Sequence, residues 1–145
     1  MIYIIVLTIL LLDQSTKLLI IKNFVHHESL PVLKGIFHIT LTHNTGAAFG
    51  ILKNQVPLFI FTSLFAVFLI YANIRKNKEG RFYSLALSLI LGGALGNLVD
   101  RVRLGYVIDF LDFRIWPVFN IADSAITIGA ILLGFSILRK VSRVS

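Results

Sequence analysis

Hydrophobic residues in this chain mostly run together in long blocks. Four blocks are long enough to cross a bilayer, which takes about 20 mostly apolar residues as a helix. They cover about 2–21, 54–74, 82–99 and 119–138. The second and third carry no charged side chain, the fourth carries only Asp123, and the first is interrupted by Asp13 and Lys17. Between the first two blocks, Phe37-His38-Ile39-Thr40-Leu41-Thr42 alternates apolar and polar. That period of two predicts a strand with one apolar face. The pattern predicts a membrane all-α fold of four transmembrane helices. A small extracytoplasmic β-sheet, within about 23–53, lies between helices 1 and 2. There is no internal repeat and no linker rich in Pro, Gly or Ser, so residues 1–145 read as a single integral-membrane domain. The first block lacks the flanks of a cleaved leader: no cation precedes it, an acid and a base lie inside it, and no small-x-small site follows. It is expected to stay as a helix.

Composition sharpens the picture. The chain is 57% hydrophobic and 14% charged, against about 45–50% and 25% in soluble proteins. A soluble α/β enzyme and a disordered chain are both excluded. The absence of cysteine excludes a disulfide framework, an iron–sulfur cluster, a thiol nucleophile and thiolate zinc. The net charge of +7 fits cations flanking membrane spans better than nucleic-acid binding. Segments 75–81 and 139–145 hold seven cations in 14 residues. Segments 22–53 and 101–114 hold six in 46, with three acids among them. By density, both termini are expected in the cytoplasm and the longer loops outside.

In such a chain the polar residues inside the spans are the costly ones, at about 2.5–3.5 kcal/mol for a charge at the bilayer centre. Asp13 and Lys17 are four apart and can neutralise each other on one helix face. They either fix helix packing or act directly at the substrate. Gly92 and Gly96 form a GxxxG pair, and Ala125/Gly129 and Ala130/Gly134 repeat small-xxx-small spacing. These spacings let helices approach closely and say nothing of chemistry. Asn97, Asp100 and Arg101 share a helix face near the outer end. There Asp100 and Arg101 can form an interfacial ion pair, and Asn97 can hydrogen-bond between helices. Asp123 sits where an acid can cap a helix.

Asp123 is accompanied, however, by Asp109 and Asp112 in the segment that joins spans three and four. Asp109 lies in an apolar setting, Gly105-Tyr106-Val107-Ile108-Asp109-Phe110. Two carboxylates in a partly dry pocket cannot both ionise, so a pair keeps one proton near neutral pH. The ionised member can take a proton from water while the protonated member holds a substrate carbonyl. Amide hydrolysis then needs neither a metal nor a covalent intermediate. The histidines His26, His27, His38 and His43 all fall in the first outer loop and lack HExxH spacing, so a metal site is the weaker reading. Ser15 and Lys17, two apart on a helix, do not face each other as a serine–lysine pair.

These motifs together resemble one family, the lipoprotein signal peptidases (signal peptidase II, or prolipoprotein signal peptidases). The resemblance covers nearly the whole chain. It rests on Asp13-Gln14 with Lys17, HNTGAAFG at 43–50, GNLVDR at 96–101, YVIDF at 106–110 and FNIAD at 119–123. It implies an intramembrane aspartyl endopeptidase of the bacterial inner membrane, with its active site near the periplasmic face. Such an enzyme cuts diacylglyceryl-modified prolipoproteins before the lipidated cysteine. It implies Asp109 and Asp123 as the catalytic dyad, Asn44, Gly46, Asn97, Arg101 and Asn120 lining the site, and Asp13 with Lys17 as a structural polar pair. It also implies an outer β-cradle, a short surface helix, a monomer with no metal or other cofactor, membrane lipid as surroundings, and inhibition by globomycin. Two features depart from the family pattern. The first span opens the sequence without a cationic leader, and the stretch from Asp109 to Asp123 is compact, so a small outer lid is expected. The rival readings are a small proton- or ion-coupled carrier and a non-enzymatic assembly subunit. The first lacks an inverted repeat; the second leaves the polar motifs unexplained.

Overall fold

The structure, a computed structural model, describes residues 2–46, 52, 54–76 and 80–142. Four long helices form in the four apolar blocks: α1 (Ile2–Asn23), α2 (Val56–Lys76), α3 (Arg81–Leu104) and α4 (Ile121–Val141). Each is long and apolar enough to cross a membrane. Three strands complete the described residues: β1 (Ser29–Leu33), β2 (Phe37–Asn44) and β3 (Val107–Asp112).

α3 is the central helix and packs against α1, α2 and α4. Its small residues make that possible. A Cβ on Gly96 would lie 2.6 Å from the Asp13 carboxylate, and one on Gly93 would strike the Ala122 carbonyl. Gly129 serves the same contact from the other side, where a Cβ would come within 2.8 Å of the Ala86 carbonyl oxygen. Gly134 has open space around it and takes no part. The helix surfaces are inverted relative to a soluble bundle. The buried residues of α1 are Asp13 and Lys17, while Leu7, Leu11, Leu18 and Leu19 are more than half exposed. Lipid, as apolar as leucine, accounts for that distribution.

The sheet has the order β1-β2-β3, antiparallel throughout. β2 is the alternating strand expected from the sequence. β3 lies in the segment that the sequence presents as a connection, so the sheet draws on the α1–α2 and the α3–α4 connections rather than only the first. Gly105, at φ 78°, ends α3 in a left-handed turn whose N–H meets the Arg101 carbonyl, and the chain passes directly into β3. β3 pairs Asp109 with Thr42, His43 with Ile108 and Asn44 with Val107. A further bridge from Leu111 to Phe119 ties the chain leading into α4 to the same strand. The sheet therefore stands at the end of the bundle where α1 and α3 finish and α2 and α4 begin.

Candidate active site

β3 and the first turn of α4 bring the two central carboxylates together. Asp109 lies on β3 and is 2% exposed. Asp123 is held by the helix start it helps to make. Asn120 is the N-cap of α4, its side chain accepting from the Asp123 N–H at 2.8 Å, while the Asp123 carboxylate accepts from the Asn120 N–H at 3.3 Å. That reciprocal box is the capping role foreseen for Asp123. It uses one carboxylate oxygen and leaves the other for Asn97, whose amide donates to it at 2.7 Å.

Each carboxylate thus has its own amide donors. Asp109 accepts from Asn120 at 2.7 Å and from Asn44 at 2.9 Å. Asn120 also donates to Asn97 and to the Ile108 carbonyl. The resemblance implies that Asn120 lines the site, but it is 0% exposed and stands behind the cavity wall, bonded to Asp109 and to Asp123. Burial, then the negative charge of Asp123, pushes the Asp109 carboxyl up to about 7, against the opposing pull of its Asn44 and Asn120 hydrogen bonds and of Lys17. Like charges that line one cavity and feel each other favour retention of one proton by the pair.

Beneath the pair lies a fully buried charge cluster. Lys17 is 2.8 Å from both Asp13 and Asp100 and donates to Asn97 at 3.0 Å. The Asp13 carboxylate also receives the Ala122 N–H at 2.9 Å, and Asp100 receives the Ile108 N–H and the Gln14 amide. The expected Asp100–Arg101 ion pair is not what forms. Consecutive helical residues point in different directions, so Asp100 turns to Lys17 and Arg101 turns into the site. One base between two acids ties α1 to the start of α4 and to β3.

A cavity of about 270 Å³ opens over the carboxylates. Asn44, Gly46, Asn97, Arg101, Asp109 and Asp123 all line it. The Arg101 guanidinium lies 5.0 Å above the Phe59 ring and donates to the Gly46 carbonyl at 3.4 Å. Gly46 is held in turn by its N–H to the Asn44 side chain. Of the segment HNTGAAFG, residues 47–50 lie outside the described residues.

Two features of the sheet end stay clear of this cavity. Burial works to raise Asp112, but hydrogen bonds from Arg114 and Thr40 outweigh it and hold the carboxyl below its usual range. His26, His43 and Tyr106 stack ring on ring at 4.1 Å spacings, and burial, then His26 and His27, holds His43 below its ordinary value.

Comparison with known proteins converges on one family. The family described as Signal peptidase (SPase) II matches residues 5–139. The chain belongs to the signal peptidase II family. It is 50% identical to the lipoprotein signal peptidase of Halothermothrix orenii over 133 residues, 92% of each chain. It is equally similar to that of Moorella thermoacetica, over 91% of this chain and 89% of the relative. A solved structure described as a bacterial membrane enzyme, obtained by the in meso method, superposes with a TM-score of 0.93 at 35% identity, over 98% of this chain and 90% of that one. Membership of signal peptidase II, with the four spanning helices, makes this a multi-pass bacterial membrane protein and a peptidase. What the sequence did not reveal within this signal peptidase II site is Asp100 as a partner of Lys17. Its one signal was position: Asp100 lies four residues after Gly96, on the face that meets α1.

Proposed function

We propose that this peptidase removes the signal peptide from diacylglyceryl-modified prolipoproteins, cutting before the lipidated cysteine with water activated on the Asp109–Asp123 dyad. The observation that carries the reading is the pair itself: two carboxylates on one cavity wall, each oriented by its own asparagine, with one proton retained by burial and mutual repulsion. The ionised carboxylate takes a proton from water, whose oxygen bonds to the scissile carbonyl carbon. The protonated carboxyl gives its proton to the carbonyl oxygen. The tetrahedral diol collapses as the amide nitrogen takes a proton, the C–N bond breaks, and a new carboxyl and a free amino terminus leave.

Asn44 and Arg101 bind the extended substrate backbone, with the Gly46 backbone alongside, because a peptide in this dry setting has no water to satisfy its amides. Asn97 and Asn120 act on the carboxylates, and Asp13, Lys17 and Asp100 hold the helices that carry them. The protein works as a single-domain monomer in the inner membrane, both termini cytoplasmic, with the dyad near the periplasmic face. A globomycin-type lipopeptide blocks the dyad cavity.

The test is cleavage of a diacylglyceryl-modified prolipoprotein by purified protein in detergent or lipid. Wild type yields the shortened product. Asp109→Asn and Asp123→Asn, each shown to fold, yield none; turnover like wild type in either variant removes the dyad from the mechanism.

A further inference from the structure

A second cavity adjoins the first. It holds about 470 Å³ between α4 and the chain that follows β3. Phe113, Ile115 and Ile128 wall it, and it shares Trp116, Phe119, Asp123 and Thr127 with the cavity over the dyad. The two spaces therefore meet at a reacting carboxylate. They differ in chemistry. The first offers Asn44, Arg101 and backbone groups. The second is almost wholly apolar, and its Ser124 hydroxyl donates inward to the Asn120 carbonyl at 3.0 Å.

An extended peptide in the second cavity would leave its N–H and C=O groups without partners, each at a cost of several kcal/mol in an apolar setting. A helical segment satisfies its own backbone, but with side chains it is about 10–12 Å across, so this volume takes about one turn. A hydrocarbon chain carries no such groups and is slim. The direction fits as well. From Asp123 to Ile128 the wall descends α4 by about 7 Å, away from the sheet and along the spanning helix, as a lipid tail runs.

We propose that this apolar cavity is the subsite for one acyl chain of the substrate's diacylglyceryl group. The inference rests on the prolipoprotein reading above. In that reading the lipidated cysteine directly follows the scissile bond, so its lipid must begin beside the dyad. The polar cavity takes the peptide, the apolar cavity takes the tail, and Asp123 stands at their junction. Ile128, half-exposed at the end of the wall farthest from Asp123 and outside the dyad cavity, is the residue that sets how much chain is accepted.

The experiment compares one prolipoprotein carrying either long-chain or short-chain diacylglyceryl groups, cut by wild type, Ile128→Trp, Ile128→Ala and Ile131→Trp in the same detergent. Ile131 is an exposed α4 residue outside the cavity. Filling the cavity with Ile128→Trp raises KM for the long-chain substrate about tenfold more than for the short-chain one, the signature of lost binding rather than lost chemistry. Ile128→Ala, which only removes contacts, moves the same ratio in the same direction by a smaller factor. Ile131→Trp leaves the ratio as in wild type. An equal effect of Ile128→Trp on both substrates, or none on either, overturns the acyl subsite and leaves the cavity to the signal peptide or to bulk lipid. Failure of wild type to cut either substrate overturns the prolipoprotein reading itself, a result separable from the first.

Discussion

Asp109 is carried by a strand above the bundle, and its titration follows from what surrounds it there. Burial and the Asp123 charge raise it to about 7, while the Asn44 and Asn120 donors pull it down. The sign of the pH effect follows. In the proposed mechanism the pair, below about 7, keeps the proton it gives to the substrate carbonyl. As pH rises through that value the proton is lost, two like charges face each other, and kcat/KM falls. At acid pH both carboxyls are protonated, no base remains, and the rate falls again, so the profile is a bell. Asn44→Leu deletes a donor that favours the ionised form and moves the alkaline limb to higher pH. A flat profile across the neutral range, or a limb that moves downward in Asn44→Leu, contradicts a shared proton. Lys17 is the other decisive side chain. It is 1% exposed between two acids, and Lys17→Ala strands both in a dry core, at a cost of about 3–5 kcal/mol. A fall in melting temperature in detergent, together with loss of turnover, is the expected outcome; unchanged melting would show that the cluster bears no weight.

The helices were legible because a span has to be an unbroken apolar run, and the backbone satisfies itself only as a helix there. β2 was legible because apolar Phe37, Ile39 and Leu41 alternate with polar His38, Thr40 and Thr42, even though the fold buries the neighbours Thr40 and Leu41 on opposite faces. β3 was not. Val107, Ile108, Asp109 and Phe110 are all buried, on both faces, so no period of two appears and the segment reads as a link. The site shows the same division. Asp109, Asp123, Asn44, Asn97 and Arg101 could be placed by motif, but the partner of Asp100 stands 83 positions away, and local spacing reaches only three or four. Small-residue spacing was ambiguous for a related reason, since it marks any close approach without saying which. Gly129 meets the α3 backbone, whereas Gly134 meets nothing within 4 Å. Gly129→Ala is therefore expected to lower stability by about 1–3 kcal/mol through overpacking, and Gly134→Ala to leave it unchanged. Melting temperatures of the two variants in one detergent decide this, and equal values would mean that α3 and α4 do not pack through Gly129.

The sheet, both cavities and the Asp109–Asp123 pair share one end of the bundle, and the start of α1, the end of α2, the start of α3 and the end of α4 share the other. The proposed function requires these ends to lie on opposite sides of the membrane, the sheet end outside. In that reading the lipidated cysteine stands at the outer surface once the chain behind the signal peptide has crossed, so carboxylates at the inner face would meet no lipid-modified cleavage site. Charge density gives the same assignment from an independent direction, since cations crowd 75–81 and 139–145, and positive loops stay in the cytoplasm. Two fusions test the shared conclusion. A fluorescent protein that matures only in the cytoplasm, attached after Ser145, should glow. An alkaline phosphatase that folds only outside, inserted at the β1–β2 turn beside Gly35, should be active. Glycine at that turn has φ 74° and nothing within 4 Å, so the insertion point is free of packing constraints. A dark fluorescent fusion at the carboxyl end, together with an inactive phosphatase at the turn, would invert the molecule. The dyad would then face the cytoplasm, and no arrangement of Asn44, Arg101 and the acyl cavity could rescue cleavage of an exported prolipoprotein. The orientation experiment thus tests the functional reading without any substrate, through the one requirement that every step of the chemistry shares.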